Sequence, residues 1–243
     1  MRNSLIMKKI AHIFVALLLW LGSPVIIPAG AQDYRAILAD RERPENERAM
    51  DGDRKPEQIL KFYGVKPGDR TADLMAGAGY YTAILSQAVG ASGLVYSANP
   101  SFKAQTQERF HAPRFANVKL LAGEMDKVGL PADHSLDFVL IHLDYHMIAA
   151  PARVDMNKRI FNALKPGGIY GVIDHAAKEN SGEADRKKLH RIDPQLVRRE
   201  IGAAGFKLSR ETQLLRNPKD AHDQPSHKLD GNSDRFVLAF TKP

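Results

Sequence analysis

The chain has 243 residues, of which 44% are hydrophobic and 26% charged, with no cysteine and a formal net charge of +7. It is apolar enough to build a full core, too mixed to be disordered and too polar for a polytopic membrane protein. The lack of cysteine excludes a disulfide framework, a Cys-ligated metal or iron–sulfur cluster, a Cys nucleophile and a lipidated cysteine anchor.

The first segment reads as a targeting signal. Arg2, Lys8 and Lys9 stand without an acid, residues 10–21 (IAHIFVALLLWL) are almost wholly apolar, and Gly22, Pro24 and Pro28 follow. Ala29-Gly30-Ala31 then supplies the small residues of a cleavage site, so residues 1–31 are predicted to be a secretory signal peptide. The alternative, an uncleaved membrane anchor, is opposed by the prolines and the shortness of the run. The expected product is exported, periplasmic or secreted, with no stable membrane insertion after cleavage. Removal takes three basic residues and no acid, leaving +4. No run of five like charges remains to demand nucleic acid or a membrane surface.

Residues 33–50 are polar and read as one or two short surface helices broken at Pro44, followed by a turn at Asp51-Gly52-Asp53. Pro56 suits the first position of a helix whose apolar face is Ile59, Leu60, Phe62 and Tyr63, and Gly64 ends it. From Arg70 strands and helices alternate. Strands are predicted at 71–75, 94–98, 118–122, 136–143 and 169–174, and helices at 80–89, 102–110, 154–164 and 193–204. The 136–143 strand is continuously apolar, as when both faces of a sheet are covered. Residues 206–215 and 235–242 read as two final strands joined by a polar loop. The fold predicted is a three-layer α/β/α Rossmann-like sandwich, with a mostly parallel seven-stranded sheet and an antiparallel last strand. A helical extension at 32–64 would precede the main domain at 65–243.

Asp73-Leu74-Met75-Ala76-Gly77-Ala78-Gly79-Tyr80 follows the first strand and opens a helix. Glycines there let backbone approach a ligand, and a helix N-terminus offers free N–H groups. The dinucleotide fingerprint needs a third glycine where Thr82 stands, which weakens a nicotinamide reading. The plain alternative is a tight βα turn with small residues for packing.

Asp73-x-x-x-Gly77-x-Gly79 resembles motif I of the class I S-adenosylmethionine-dependent methyltransferases. Leu164-Lys165-Pro166-Gly167-Gly168 and Ala203-Ala204-Gly205-Phe206 resemble the turns those enzymes place before their fifth and sixth strands. Gly79-Tyr80-Tyr81-Thr82, Asp174-His175 and Leu189-His190-Arg191-Ile192-Asp193 resemble an exported bacterial group described only as methyltransferases by sequence. The resemblance implies S-adenosylmethionine as cofactor, held by Asp73, Gly77, Gly79, Tyr80, Asn99 and Glu124. Asp73 would orient its ammonium, and Glu124 would accept from the adenine amino group. Met75 replaces the first glycine of the common motif. Asn99 stands where the family usually has an acid on the ribose hydroxyls, so Asn99→Asp is expected to tighten binding.

His142, Asp144, Tyr145 and His146 end one apolar strand, Asp174 and His175 end another, and His190 and Asp193 follow. In an open parallel sheet these ends face the ligand crevice. Two chemistries fit. His142, His175 or His190 serves as a general base, or His142, Asp174 and His175 bind a divalent metal, in positions similar to the ligands of the catechol O-methyltransferase type. The metal-free reading is the expectation. The turn after the fourth strand lacks the N-P-P-Y pattern of base methylation, so no nucleic-acid substrate is expected. The predicted function is methyl transfer from S-adenosylmethionine to a small-molecule or cell-envelope acceptor. A non-catalytic ligand-binding protein of the same fold is the alternative, and a metal-dependent hydrolase a third reading.

Overall fold

The computed structural model describes residues 33–243, so the predicted signal peptide at 1–31 lies outside the described residues. Among the described residues no helix is long and apolar enough to cross a membrane. Seven strands form one sheet: β1 (Arg70–Leu74), β2 (Leu94–Asn99), β3 (Val118–Ala122), β4 (Leu136–His142), β5 (Leu164–His175), β6 (Lys207–Thr212) and β7 (Arg235–Thr241). Their order is β3-β2-β1-β4-β5-β7-β6. β3, β2, β1, β4 and β5 are mutually parallel, and β7 runs antiparallel between β5 and β6. The strand order reverses between β1 and β4, which opens a crevice at their carboxyl ends. The predicted sandwich is therefore present, antiparallel last strand included.

The helices are α1 (Tyr34–Ala39), α2 (Glu45–Ala49), α3 (Asp51–Arg54), α4 (Pro56–Tyr63), α5 (Tyr80–Val89), α6 (Ala104–His111), α7 (Ala150–Ala163) and α8 (Pro194–Ala203). Strand alternation decides which residues each layer covers. Ala72, Leu74, Val139, Ile141, Tyr170, Val172, Phe236, Leu238 and Phe240 point to the face covered by Met156, Ile160, Val197 and Ile201 of α7 and α8. Phe138, Leu140, Ile173, Val237 and Ala239 point to the face covered by Ile59, Leu60 and Tyr63 of α4 and Ile84, Leu85 and Ala88 of α5.

Two local expectations change. Asp51-Gly52-Asp53 is the first turn of α3, not an open turn. Both acids sit where the helix dipole favours negative charge, and Arg43 grips Asp51. The Lys165–Gly168 turn is absorbed into β5 as a bulge, because Leu164 pairs with Leu136 and pairing resumes at Ile169 with Phe138. It is tied to the chain's end by Gly167 N–H donating to Lys242 O at 2.9 Å and Lys242 N–H donating to Gly168 O at 3.0 Å.

Candidate functional site

The turn after β1 needs left-handed backbone three times, at Met75 (φ 53°), Gly77 (φ 59°) and Gly79 (φ 89°). Glycine adopts that region freely, but a residue with a Cβ is strained by about 1–2 kcal/mol. Met75 carries that strain where the resembled motif has its first glycine. A Cβ on Gly79 would meet the Phe110 ring at 2.3 Å, whereas one on Gly77 would meet nothing within 4 Å. Gly79 is thus needed for packing, and Gly77 presents bare backbone to open space. The N-cap of α5 is Gly79, which has no side chain to cap the helix, and the Thr82 backbone in its first turn bonds the Asp73 carboxylate.

A cavity of about 200 Å³ lies against this turn. Its floor is Asp73, Met75–Ala78 and the β4 end (His142, Leu143, Asp144); Tyr80 and Tyr81 form a wall. Its roof comes from the helical extension, through Glu47, Met50 and Arg54. Pockets for whole ligands usually run from about 300 Å³ upward, so this space suits the amino-acid end of a cofactor rather than all of it.

Asp73 is 2% exposed, and burial pushes its carboxyl up to about 7. Thr82 Oγ1 lies 2.7 Å from Asp73 Oδ2 and 2.9 Å from Ser97 Oγ. Having one proton, the Thr82 hydroxyl donates to the carboxylate and accepts from Ser97. The third-glycine position of the dinucleotide pattern therefore holds a residue that supports Asp73. Arg54 is the cation that draws the Asp73 carboxyl down; its guanidinium lies 4.4 Å over the Tyr80 ring.

Ion pairs fix the roof. Arg43 meets Asp51 through two bonds of 2.7 Å, and the Tyr80 hydroxyl donates to Asp51 Oδ1 at 2.6 Å. Arg109 bridges Glu47 at 3.0 Å and Ala78 O at 3.1 Å, and Arg114 pairs with Asp40 and Glu42. Arg235 pairs with Asp53 at 2.7 Å. Of the charged run around residues 40–54, which from sequence fits a lid over the pocket or a solvated surface, Asn46, Glu47, Met50 and Arg54 line the cavity. The run's alternating Arg and acid residues were the available signal.

Asn99 sits differently from its expected place on a ribose. Its Oδ1 accepts from Gly77 N–H at 2.9 Å and its Nδ2 donates to Gly77 O at 3.0 Å. Each polar end makes one bond to the glycine turn and keeps one further site. Glu124 is exposed just beyond β3 and does not line the cavity. Tyr80 contributes its ring, because its hydroxyl is committed to Asp51.

The histidine cluster assembles on the β4 and β5 ends. His142 is buried, edge-on to Tyr81 with centroids 4.8 Å apart, and its Nε2 has no partner. Burial holds its pKa well below the ordinary value. Burial likewise pushes His175 down to about 4, and its Nδ1 lies 2.7 Å from Ser233 Oγ. His190 is lowered by burial and by His146 and His227. The Asp144 carboxyl is pushed up to about 7 by burial and by Asp174.

His146, placed in the crevice but not among the expected bases, has the carboxylate partner that the other three lack. Asp174 is fully buried; its Oδ1 lies 2.8 Å from His146 Nδ1 and its Oδ2 accepts His146 N–H at 2.7 Å. Burial alone would lower His146, but Asp174 outweighs it and the net shift is upward. The His146 ring lies 5.9 Å from His175 and 5.6 Å from His190, and His190 lies 5.2 Å from His227. Since Asp174 is spent on His146, it does not join His142 and His175 around one point. Among the described residues no group of three or more His, Asp or Glu could hold a metal ion.

Fully buried Arg153 steadies this turn, bonding Glu200 at 2.7 and 2.8 Å, Glu183 at 2.9 Å and Ile148 O at 2.7 Å. Buried Arg191 fixes the His190 loop to Asp220 at 3.0 Å and to Ala176 O at 2.9 Å.

Residues 72–168 match the methyltransferase domain family. Demethylmenaquinone methyltransferase of Staphylococcus aureus (strain JH9) is 32% identical over 118 residues, 48% of this chain and 47% of that protein. The chain thus spans about half the length of the curated relatives it matches. A methyltransferase of Aquifex aeolicus described as SAM-dependent superposes with a TM-score of 0.60 at 22% identity, over 87% of this chain and all of that one. Phosphoethanolamine N-methyltransferase 2 of Haemonchus contortus, solved with S-adenosyl-L-methionine, gives 0.59 at 18% identity, over 88% of this chain and 60% of that one. Over residues 72–168 the chain is thus similar to the methyltransferase domain family, and its fold is that of the solved S-adenosylmethionine-dependent methyltransferases.

Proposed function

We propose that the protein transfers a methyl group from S-adenosylmethionine to a small-molecule or cell-envelope acceptor, and that it does so after export. The observation that carries the reading is the buried Asp73 carboxyl beneath a turn whose Gly77 backbone faces open space. Such an acid is costly without a cation, and an ammonium is the charge it lacks. Arg54, across the same cavity, suits a carboxylate. These residues fit the amino-acid end of the cofactor, with the exposed Gly77 backbone beside them. When bound, the cofactor supplies an electrophilic methyl carbon. The protein's part is to hold the acceptor in line with it and to exclude water, which the roof of α2 and α3 does.

Calorimetry tests this reading. Wild type should bind S-adenosylhomocysteine and Asp73→Asn should bind it at least tenfold more weakly. No heat at millimolar ligand would sink the proposal. A second reading, a ligand-binding protein without catalysis, is favoured by Asn99, which leaves no acid for the ribose. It predicts binding without any methylated product when aromatic hydroxyl compounds and envelope extracts are offered. Export is tested by N-terminal sequencing of the protein from the periplasm: a start at Gln32 supports it, and a retained segment 1–31 refutes it.

A further inference from the structure

We propose that His146, oriented by Asp174, is the general base of the acceptor site, and that the acceptor presents a weakly acidic aromatic hydroxyl. The proposal rests on the methyltransferase reading and names the acceptor class for it. A buried carboxylate can only accept, so the 2.8 Å contact puts the His146 proton on Nδ1 and leaves the lone pair on Nε2. Asp174 also holds the His146 backbone through its second oxygen. Both ring position and tautomer are thereby fixed before any acceptor arrives. Nε2 has no hydrogen-bond partner among the described residues, and it is not among the buried unpartnered atoms.

The other histidines are less suited. His175 gives its Nδ1 to Ser233 and is kept neutral, and His142 lies under Tyr81. The groups facing His146 are Asp174 and His175 from β5, Asp144 from the β4 end, and Arg186 and His190 from the loop after β5. Their balance raises the imidazole, with the carboxylates prevailing over burial and over Arg186. Asp144 lines the cavity and is the N-cap of the turn that carries His146, which puts the base on the same strand end as the cavity.

A phenol, with a pKa of about 10, lies within a few units of such a base, whereas an aliphatic alcohol does not. The flanking His175 and His190 rings, 5.9 and 5.6 Å away, offer flat surfaces to an aromatic acceptor. In the step, the acceptor O–H proton passes to His146 Nε2 and an O–C bond forms to the methyl carbon. The C–S bond breaks with its electron pair kept on sulfur, and the imidazolium, stabilised by Asp174, returns the proton to solvent.

The test uses 4-nitrophenol, whose phenolate absorbs in the visible, at a pH about one unit below its own pKa. Adding wild-type protein should raise the phenolate band. His146→Gln should abolish the rise, His111→Gln at the exposed end of α6 should keep it, and Asp174→Asn should weaken it about tenfold. If Asp174→Asn does not fold, the NMR titration of His146 in wild type replaces it, and a midpoint above that of free imidazole is expected. No band with wild type, a band unaffected by His146→Gln, or a His146 midpoint below free imidazole overturns the proposal. Calorimetry with S-adenosylhomocysteine on the same samples keeps the two readings apart. Its loss in wild type counts against methyl transfer, while the phenolate band judges the base alone.

Discussion

Replacing Asn99 by Asp gives opposite outcomes for a ribose ligand and for a backbone clamp. Asn99 is 5% exposed and spans Gly77, accepting at 2.9 Å and donating at 3.0 Å. Aspartate keeps the acceptor but turns the donor into an oxygen facing the Gly77 carbonyl. One hydrogen bond is lost and the Gly77 carbonyl, on an exposed residue, turns to water, a cost of about 0.5–1.5 kcal/mol. At about 2–4 °C per kcal/mol for a chain of this size, melting should fall by about 1–6 °C at pH 8. Below the carboxyl's titration the protonated acid can donate again, so the loss should shrink at pH 4. Affinity for S-adenosylhomocysteine should fall as well, because the clamp holds the turn that meets the cofactor. Scanning calorimetry at both pH values and titration calorimetry measure this. An Asn99→Asp protein that melts with wild type at pH 8 and binds more tightly would refute the clamp and restore the ribose role.

Asp73 is held protonated below about 7, and pairing with an ammonium needs the carboxylate, so cofactor affinity should rise by up to about tenfold per pH unit toward pH 7 and then level off; titration between pH 5.5 and 8.5 checks it, and a flat profile counts against Asp73. Gly79→Ala should destabilise by several kcal/mol, since its Cβ enters the Phe110 ring in a left-handed conformation. Gly77→Ala should cost only about 1–2 kcal/mol of backbone strain yet weaken cofactor binding, and melting and calorimetry on the pair would show the division. Asp144, pushed up to about 7 at the cavity floor, should favour the cationic sulfonium over the neutral thioether as it ionises. The affinity ratio of S-adenosylmethionine to S-adenosylhomocysteine should therefore rise between pH 6 and 8 and be flat in Asp144→Asn.

Local constraints were legible in the sequence and partnerships across the sheet were not. Gly77 and Gly79 could be read because positive φ leaves few other choices, and Asp73 because it closes a short strand before them. α5 was legible to the residue, since Gly79 and Gly90 bound a mostly apolar run. The Asn99 clamp was hidden because it joins residues 22 apart through the parallel β1–β2 register. The His146–Asp174 pair was hidden in the same way, since β4 and β5 bring residues 28 apart together. Histidine in a polar turn looks the same whether or not a carboxylate lies beneath it. Arg43 and Arg54 looked like ordinary solvated charges, because helical spacing cannot say which charged face closes on a neighbour.

The electrostatics of the crevice argue for a cationic ligand independently of any family. Burial raises Asp73 and Asp144 to about 7, and Asp73 adds to the rise of Asp144. Two such acids lower the stability of the unliganded fold as they ionise, because their folded pKa values lie above the ordinary carboxylate range and the loss develops as pH rises from about 4 to about 7. Arg54 offsets part of this, acting on both. A positively charged group placed between them would recover the remainder, and the glycine turn leaves the backbone beside Asp73 open to receive it. Burying acids where they destabilise the empty protein is what a binding site for a cation requires, and a packing role alone would have been met by Asn or Thr.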